Sequence, residues 1–244
     1  MADYGKDVAY IHDAGFLDLA DQATPFVVRL LEERGVRKGR VIELGCGSGA
    51  TAAALSEAGH DVLGVDTSRA MVELARGRAP AARFRVASWV DEPIPECDAV
   101  LAIGEVLGYV GTAAGTKAEL RGLFGRVRAA LRPGGLFVFD LATPGRVPTG
   151  EDSAFRIGED WAILFTTQED AKTRKLQRRI TTFRKIEGGA TYRRSEEFHR
   201  LRLWRSQEIE EMLQQARFKV QTRRGYAGRS FAPGHRVFVA TPLT

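Results

Sequence analysis

One stretch decides the fold: Arg40-Val41-Ile42-Glu43-Leu44-Gly45-Cys46-Gly47-Ser48-Gly49-Ala50. A short apolar run is followed at once by three glycines at alternate positions and then by an alanine-rich segment. This pattern predicts a strand, a tight turn and a helix. Glycine suits such a turn because it adopts positive φ without a Cβ clash and lets the backbone approach a ligand closely. The helix that follows presents unpaired N–H groups to the turn, so the stretch predicts a nucleotide-type binding site.

The glycine spacing alone leaves the type of cofactor open. Gly45, Gly47 and Ala50 satisfy the G-x-G-x-x-G/A pattern of dinucleotide sites, and Asp66 follows at about the distance of twenty residues that such a site requires. Glu43, however, precedes the first glycine. A carboxylate at this place favours a ligand with an ammonium or other positive group over a pyrophosphate.

The run Glu43-Leu44-Gly45-Cys46-Gly47-Ser48-Gly49 closely resembles the first motif of the class I S-adenosylmethionine-dependent methyltransferases. In that family the glycine turn lies against the methionine part of the cofactor, and an acidic residue at the end of the second strand holds the ribose hydroxyls. Asp66 occupies that position here. The resemblance implies S-adenosyl-L-methionine as cofactor and S-adenosyl-L-homocysteine as product. No metal is expected, because two cysteines and four histidines show no metal-binding spacing.

Further apolar runs predict the remaining strands of a sheet that is covered on both faces. These runs are Val62–Asp66, Arg83–Ala87, Asp98–Ile103 and Leu136–Asp140. The sequence Leu131-Arg132-Pro133-Gly134-Gly135, at the end of a helix that starts at Thr116, again resembles class I methyltransferases. So does a final antiparallel hairpin of Phe218–Thr222 and Arg236–Ala240. The expected fold class is α/β: a doubly wound, seven-stranded, mostly parallel, Rossmann-like sheet with an antiparallel β insertion.

The insertion is expected at residues 151–204. Its strand-like runs are Trp161–Thr167, Lys172–Ile186 and Tyr192–Trp204, with Glu187-Gly188-Gly189 as a hairpin turn. Between Lys172 and Arg205, twelve Lys or Arg stand against three Glu, so the basic character of the chain, +5 overall, belongs to this segment. Several members of the resembled family carry such an insertion after the fifth strand. It either covers the substrate mouth or mediates self-association, in which case a homodimer is expected.

Residues 1–150 and 205–244 are expected to form the cofactor-binding methyltransferase domain, with residues 1–38 as N-terminal lid helices. Thr24 and Pro25 predict the start of the second of these helices, since proline suits the first helical position. In methyltransferases of this type the N-terminal segment lies over the cofactor. The aromatic residues of the lid are therefore expected to face either the cofactor or the core.

The resemblance assigns cofactor contacts residue by residue. The expected cofactor-binding residues are Tyr10, Glu43, Gly45, Cys46, Gly47, Gly49, Asp66, Thr67, Met71, Ser88, Trp89, Ile103 and Gly104. Ser88 departs from the family pattern, because many members carry an Asp there that bonds the adenine amino group. A serine can accept a hydrogen bond but adds no charge, which weakens the expected adenine contact.

Methyl transfer from a sulfonium is an in-line displacement that needs a nucleophile about 3 Å from the methyl carbon, in a site without water. A general base is required only where the acceptor is a hydroxyl, a protonated amine or a carbon acid. The catalytic candidates are Glu105, Tyr109 and His199, with His12 and Tyr10 as further candidates for a base. The substrate-binding candidates are His12, Phe16, Arg202 and Trp204. The expected acceptor is an N, O or C nucleophile of a small molecule.

The basic insertion leaves alternatives open. Arginines that point into the pocket favour an anionic small acceptor, whereas arginines that point outward favour an RNA or protein methyltransferase. Nucleic acid is the less expected partner, because no RNA-binding module accompanies the basic run. A non-catalytic S-adenosylmethionine-binding protein is a third alternative. The chain shows no signal peptide and no apolar run of membrane-spanning length, so a cytoplasmic location without membrane contact is expected.

Overall fold

A computed structural model describes residues 4–109, 116–186, 189–226 and 231–243. Its helices are α1 (Lys6–Gly15), α2 (Asp18–Glu32), α3 (Ala50–Glu57), α4 (Arg69–Arg78), α5 (Lys117–Ala130) and α6 (Ser206–Gln215). Its strands are β1 (Arg40–Leu44), β2 (Asp61–Asp66), β3 (Arg83–Val86), β4 (Cys97–Ala102), β5 (Leu131–Ala142), β6 (Glu151–Ile157), β7 (Trp161–Asp170), β8 (Lys175–Lys185), β9 (Tyr192–Arg202), β10 (Phe218–Arg223) and β11 (His235–Pro242). A short 3-10 helix, Val106–Gly108, follows β4.

The main sheet has seven strands in the order β3-β2-β1-β4-β5-β11-β10. The pairs β1–β2, β2–β3, β1–β4 and β4–β5 are parallel, whereas β11 runs antiparallel to both β5 and β10. This confirms the expected class I methyltransferase fold. The strand order reverses direction between β1 and β4, and ligands of open parallel sheets bind at the carboxyl ends of the strands next to such a reversal. The glycine turn leaves the sheet at this place.

Helices cover both faces of the main sheet and give it two apolar cores. On one face Phe124 of α5 packs against Phe137 and Phe139, whose rings stack with centroids 4.6 Å apart, and Phe238 stacks on Phe139. On the other face α2 contributes Phe26. All these side chains are almost fully buried. Burial of each contributes roughly 2–3 kcal/mol relative to exposure, which explains why the central strands are continuously apolar.

The insertion forms a second, four-stranded antiparallel sheet in the order β6-β7-β8-β9. Its inner face packs on α1 through a cluster that includes Trp161, Ile163 and Ile180. The opposite face leaves Phe155 and Phe198 exposed. The observed antiparallel sheet agrees with the expected insertion, while the division of the chain into two domains stays a prediction.

The predicted start of the second lid helix is wrong. α2 begins at Asp18, and Pro25 lies inside it. The buried apolar face of the helix outweighs the hydrogen bond that proline removes. Two details lower the energetic cost of having Pro25 inside the helix. Thr24 Oγ1 donates to the carbonyl of Ala20 at 2.7 Å, and the carbonyl that loses its partner belongs to Asp21, which is exposed to water.

Strand β6 has no counterpart in the sequence-based prediction. All its residues are exposed. Its sequence therefore needs no alternation of apolar and polar residues, the pattern that marks a half-buried strand. The predicted hairpin turn at Glu187 and Gly188 lies outside the described residues. Within the described ranges, each helix is too short or too polar to cross a membrane.

Candidate functional site

The turn after β1 uses backbone conformations that favour glycine. Gly45, Gly47 and Gly49 have φ angles of 68°, 52° and 78°. The N–H of Gly45 donates to the carbonyl of Val65 at 2.7 Å, which ties the turn to β2. A Cβ on Gly45 would lie 2.5 Å from the side chain of Val106, so the loop after β4 also approaches the turn closely.

Asp66 ends β2 and organises the neighbouring backbone. Its carboxylate accepts hydrogen bonds from the N–H of Gly47 at 2.9 Å and from the N–H of Ser68 at 2.8 Å. Burial raises the pKa of Asp66, and the backbone N–H donors oppose part of that rise. Each carboxylate oxygen can accept a second hydrogen bond, so Asp66 still has acceptor capacity for a ligand.

Glu43 places a carboxyl group inside the protein on β1. The residue is buried, and within the described residues its Oε2 has no hydrogen-bond partner. Burial raises the pKa of this carboxyl to about 8; a hydrogen bond from Thr51 opposes the rise, and the charge of Asp66 adds to it. An orphaned buried oxygen is costly, so the geometry suits a ligand that brings a positive or donor group to it.

A cavity of about 190 Å³ opens at the carboxyl ends of β1, β2 and β4. The predicted cofactor residues that line it are Glu43, Gly45, Cys46, Gly47, Asp66, Thr67, Met71, Ser88, Trp89, Ile103 and Gly104. At its other end lie Tyr4, His12, Phe16 and Tyr109. The cavity therefore joins the glycine turn to the N-terminal lid and to the loop after β4.

Tyr10 and Gly49, two predicted cofactor residues, do not line the cavity. Tyr10 lies on the side of α1 that faces the insertion. Its hydroxyl donates to Asp160 at 2.9 Å, and the guanidinium of Arg184 lies 3.6 Å from its ring centroid. Gly49 precedes α3, and a Cβ there would lie 2.9 Å from the Cβ of Ala75. Because Gly49 has no side chain, α3 and α4 can pack closely.

Arg202 and Trp204, two predicted substrate residues, also lie away from the cavity. The alternation of side chains along β9 ends at Arg202. Beyond it the chain turns towards α6, and Trp204 becomes fully buried in the main core. The guanidinium of Arg202 lies 4.1 Å from the centroid of its ring. The sequence pattern misplaced Trp204 because it extended the strand by two residues.

Tyr4 closes the cavity from the N-terminal side, a role the sequence analysis missed. Its carbonyl accepts a hydrogen bond from Ser68 Oγ at 2.6 Å, and its hydroxyl lies 3.0 Å from that of Tyr109. Burial raises the pKa of both phenols. The two hydroxyls therefore stay protonated at neutral pH and can act as hydrogen-bond donors rather than as bases. An aromatic residue just before α1 is the signal that was available in the sequence.

His12 faces the cavity from α1. Its ring stacks against Phe16 with centroids 6.1 Å apart and meets Tyr4 edge-on at 5.6 Å. Within the described residues, His12 Nδ1 is buried and has no hydrogen-bond partner. Burial lowers the pKa of His12, and the charge of Asp13 only partly opposes this. The imidazole is thus uncharged at neutral pH and able to accept a proton.

His199, a predicted catalytic residue, lies behind the tyrosines. It is fully buried on β9, with its ring centroid 4.7 Å from that of Tyr4 and 5.7 Å from that of Tyr109. Its Nε2 is 3.1 Å from Glu197, whose other oxygen accepts the N–H of Gly5 at 2.9 Å. His199 therefore supports the lid and the tyrosine pair but does not line the cavity.

Glu105, another predicted catalytic residue, is held in an ion-pair group. It is buried with a φ of 62°, a left-handed conformation that non-glycine residues rarely adopt. Its oxygens lie 3.2 Å from Arg146 Nε and 3.4 Å from Arg178 Nη2. Burial raises the pKa of Glu105, but Arg178, His235 and Arg146 outweigh it, so the pKa lies below its ordinary value. Glu105 is thus a paired carboxylate outside the cavity wall, not a free base.

Asp140, at the end of β5, fixes the loop that carries Glu105. Its carboxylate accepts the N–H groups of Gly104 and Glu105 at 2.9 and 2.7 Å. Tyr226 donates its hydroxyl at 2.7 Å, and His235 Nε2 lies 2.9 Å away. No role of Asp140 was predicted from the sequence, although an acidic residue in a buried apolar strand was a visible signal.

Residues 41–135 match the family described as a methyltransferase domain. Among curated proteins, a putative methyltransferase, YqeM, of Bacillus subtilis is 27% identical over 209 residues, which cover 82% of this chain and 80% of the relative. The family match includes the glycine turn and the first strands of the main sheet. Both matches agree with the class I resemblance of the first motif.

Solved structures share the fold over almost the whole chain. An S-adenosylmethionine-dependent methyltransferase from Clostridium acetobutylicum superposes with a TM-score of 0.81 at 18% identity and covers 97% of this chain and 98% of its own. CalS10, an amino pentose methyltransferase from Micromonospora echinaspora, gives 0.76 at 22% identity, with 96% and 95% covered. Fold, domain match and first motif agree: residues 41–135 match a methyltransferase domain, within a chain that has the fold of class I S-adenosylmethionine-dependent methyltransferases.

Proposed function

We propose that this methyltransferase transfers the methyl group of S-adenosylmethionine to an N, O or C nucleophile of a small molecule by in-line displacement. One observation carries the proposal: a single cavity runs from the cofactor residues Glu43 and Asp66 to the lid residues Tyr4 and His12. An acceptor that reaches this end is enclosed by the lid, which excludes water and favours a small molecule over a polymer. The amino pentose methyltransferase with the same fold also supports a small acceptor.

The cofactor fits the residues at the turn. Glu43, with its orphaned Oε2, would hold the ammonium group of the methionine part, and Asp66 would accept hydrogen bonds from the ribose hydroxyls. Met71 and Trp89 would cover the adenine, and Ser88 would bond its edge. When bound, the cofactor supplies a methyl group already activated by the positive sulfonium. The protein's own task is then to position the acceptor and, where needed, to remove its proton.

His12 is the residue that we assign to proton removal. It lines the cavity as an uncharged imidazole, and its Nδ1 has no partner within the described residues. The hydroxyls of Tyr4 and Tyr109 would orient the acceptor by hydrogen bonds, and Phe16 would pack against its apolar part. The expected anionic character of the acceptor and a cytoplasmic location belong to the same proposal.

The arginines of the insertion do not favour RNA or a protein as the acceptor. Several are paired within the chain: Arg193 bonds Asp7, and Arg179 bonds Glu196 at 2.6 Å. Such pairing reduces the charge that is free for phosphate groups. No observation favours this second candidate function over the first.

A homodimer through the outer face of the insertion sheet is a further part of the proposal. Phe155, Leu164 and Phe198 are exposed on this face. Both charge signs lie beside them, since Arg179 and Glu196 share the same face in the strand register. A face with apolar side chains and both charge signs can pair with a second copy of itself across a two-fold axis.

The experiment is calorimetric titration with S-adenosylmethionine, S-adenosylhomocysteine and NAD, followed by an acceptor screen that measures S-adenosylhomocysteine formation. We expect micromolar binding of both adenosyl ligands and none of NAD. Binding of NAD alone would overturn the proposal. For a hydroxyl or protonated-amine acceptor, His12→Ala should lower kcat by roughly 100-fold or more, the usual contribution of a general base. The dissociation constant of the cofactor should change by less than about threefold, because His12 lies at the acceptor end.

A further inference from the structure

Two arginines from distant parts of the chain meet at one buried carboxylate. Arg178 on β8 and Arg146 in the loop after β5 both contact Glu105. Their side chains are only 18% and 28% exposed. The pairing holds two positive charges and one negative charge. A second carboxylate, that of Asp140, lies next to it and accepts the N–H group of Glu105.

The guanidinium of Arg178 has spare hydrogen-bonding capacity. A guanidinium carries five N–H donors. Within the described ranges, Arg178 makes one hydrogen bond, the long contact of 3.4 Å to Glu105. Among the described residues, no nitrogen of the Arg178 side chain is both buried from solvent and without a hydrogen-bond partner. The free N–H donors are therefore not sealed from solvent, and a largely buried cation without full pairing is stabilised by a counter-ion.

Arg178 stands behind the acceptor end of the cavity, next to residues that line it. In the strand register it lies directly opposite His199, on the inner face of the insertion sheet. His199 in turn contacts the rings of Tyr4 and Tyr109, which line the cavity. The charge of Arg178 also acts on both phenols, where it opposes the larger effect of burial on their pKa. The free donors thus lie beside the tyrosine hydroxyls that would orient the acceptor.

We propose that Arg178 binds a carboxylate group of the methyl acceptor, so that this enzyme methylates small carboxylic acids. The planar fork of a guanidinium matches the two oxygens of a carboxylate. Arg146 and Glu105 keep the fork in place from behind. This inference rests on the proposed function, since it names the acceptor class of the same cavity.

The test measures binding of three probes to the protein saturated with S-adenosylhomocysteine. The probes are acetate, acetamide and methyl phosphate, and saturation-transfer NMR on the methyl resonance of each gives a dissociation constant at constant ionic strength. We expect acetate to bind at least tenfold more tightly than acetamide, because a hydrogen bond to a charged group contributes roughly the free energy of such a factor. Equal binding of acetate and acetamide to the wild-type protein would overturn the proposal, and tighter binding of methyl phosphate would overturn the carboxylate assignment.

Two variants locate the effect. Arg178→Gln should abolish the preference for acetate, whereas Arg179→Gln should keep it, because Arg179 is the next residue on β8 but points to the outer face and bonds Glu196. A preference that survives in Arg178→Gln would overturn the role of Arg178. If Arg178→Gln fails to fold, Arg178→Lys keeps the charge but loses the fork and should reduce the preference several-fold.

The calorimetric titration with S-adenosylhomocysteine separates this inference from the proposed function. Absence of S-adenosylhomocysteine binding to the wild-type protein means that the proposed function fails. Normal binding of S-adenosylhomocysteine without a preference for acetate means that only the carboxylate assignment fails. Retained cofactor affinity in Arg178→Gln shows in addition that the variant is folded.

Discussion

The two ends of the cavity are built in different ways. The cofactor end comes mostly from one continuous piece of chain, β1 to the start of α4, in which Glu43, the glycine turn and Asp66 are neighbours through parallel strand pairing. The acceptor end gathers Tyr4, His12 and Tyr109 from the lid and the loop after β4, and Arg178 of the insertion stands behind them. The first end depends on local backbone geometry. The second depends on long-range contacts, so changes at the two ends should have separable effects.

The largest effect is expected from the backbone of the cofactor end. Gly45→Ala places a side chain at a φ of 68° and 2.5 Å from Val106. We expect the free energy of unfolding to fall by roughly 3 kcal/mol, from left-handed strain and overpacking together. Cofactor affinity should fall more than tenfold, because the turn must move. Urea denaturation and calorimetric titration measure the two quantities.

Gly47→Ala is the matched control for this prediction. Its φ is 52°, but nothing lies within 4 Å of the added Cβ. Strain alone then lowers the free energy of unfolding by about 1 kcal/mol. Equal losses in the two variants would mean that the close approach of Val106 has no energetic importance.

A smaller effect expected at the cofactor end is the release of a proton when the cofactor binds. The pKa of Glu43 is raised to about 8, so in the empty protein this carboxyl is protonated at pH 6.5. A positive group of the cofactor favours the ionised form. Binding should therefore release close to one proton at pH 6.5, and the affinity should rise from about pH 6 to about pH 7.5. Calorimetric titration in two buffers of different protonation enthalpy measures the release.

Glu43→Gln should bind the cofactor more weakly and release no proton from this position. The sign for stability is the opposite of that for binding. Because the folded pKa lies above the ordinary value of 4.5, this group stabilises the empty protein fully below about pH 4.5 and loses that contribution as the pH rises towards 8. Proton release that is unchanged in the variant would contradict the assignment to Glu43.

The smallest effect on the cavity is expected from the outer face of the insertion. Phe155→Ser combined with Phe198→Ser should convert a dimer to a monomer in light scattering, because both side chains are exposed there. Cofactor affinity should stay within about twofold, since this face lies away from the cavity. Phe155→Leu, which keeps an apolar group, should remain dimeric. A monomeric wild-type protein at micromolar concentration would refute the dimer.

The sequence predicted most of the main sheet and of the cofactor end. Three glycines with positive φ, a carboxylate on β1 and Asp66 at the end of β2 are local signals, because each depends on residues close in the chain. The seven-stranded sheet followed from apolar runs and from its resemblance to a known family. These features need no knowledge of which distant segments meet.

The acceptor end could not be predicted in the same way. Trp204 is buried in the main core because the chain turns after β9, and the strand pattern contains no sign of that turn. Tyr10 contacts Asp160 and Arg184 because α1 presents that side to the insertion. Arg178 was one of twelve basic residues in its segment. Its pairing with Glu105 depends on strand β8 and the loop after β4, which meet only in the folded chain.

The left-handed backbone of Glu105 bears on which residue type evolution favours at position 105. Glycine would adopt a φ of 62° without the strain, of order 1 kcal/mol, that a side chain brings. Selection for stability alone would thus tend towards glycine at position 105. A glutamate there instead supplies a carboxylate that pairs with Arg146 and Arg178. Among homologous enzymes, Glu105 and Arg178 should accordingly be gained and lost together as the acceptor changes.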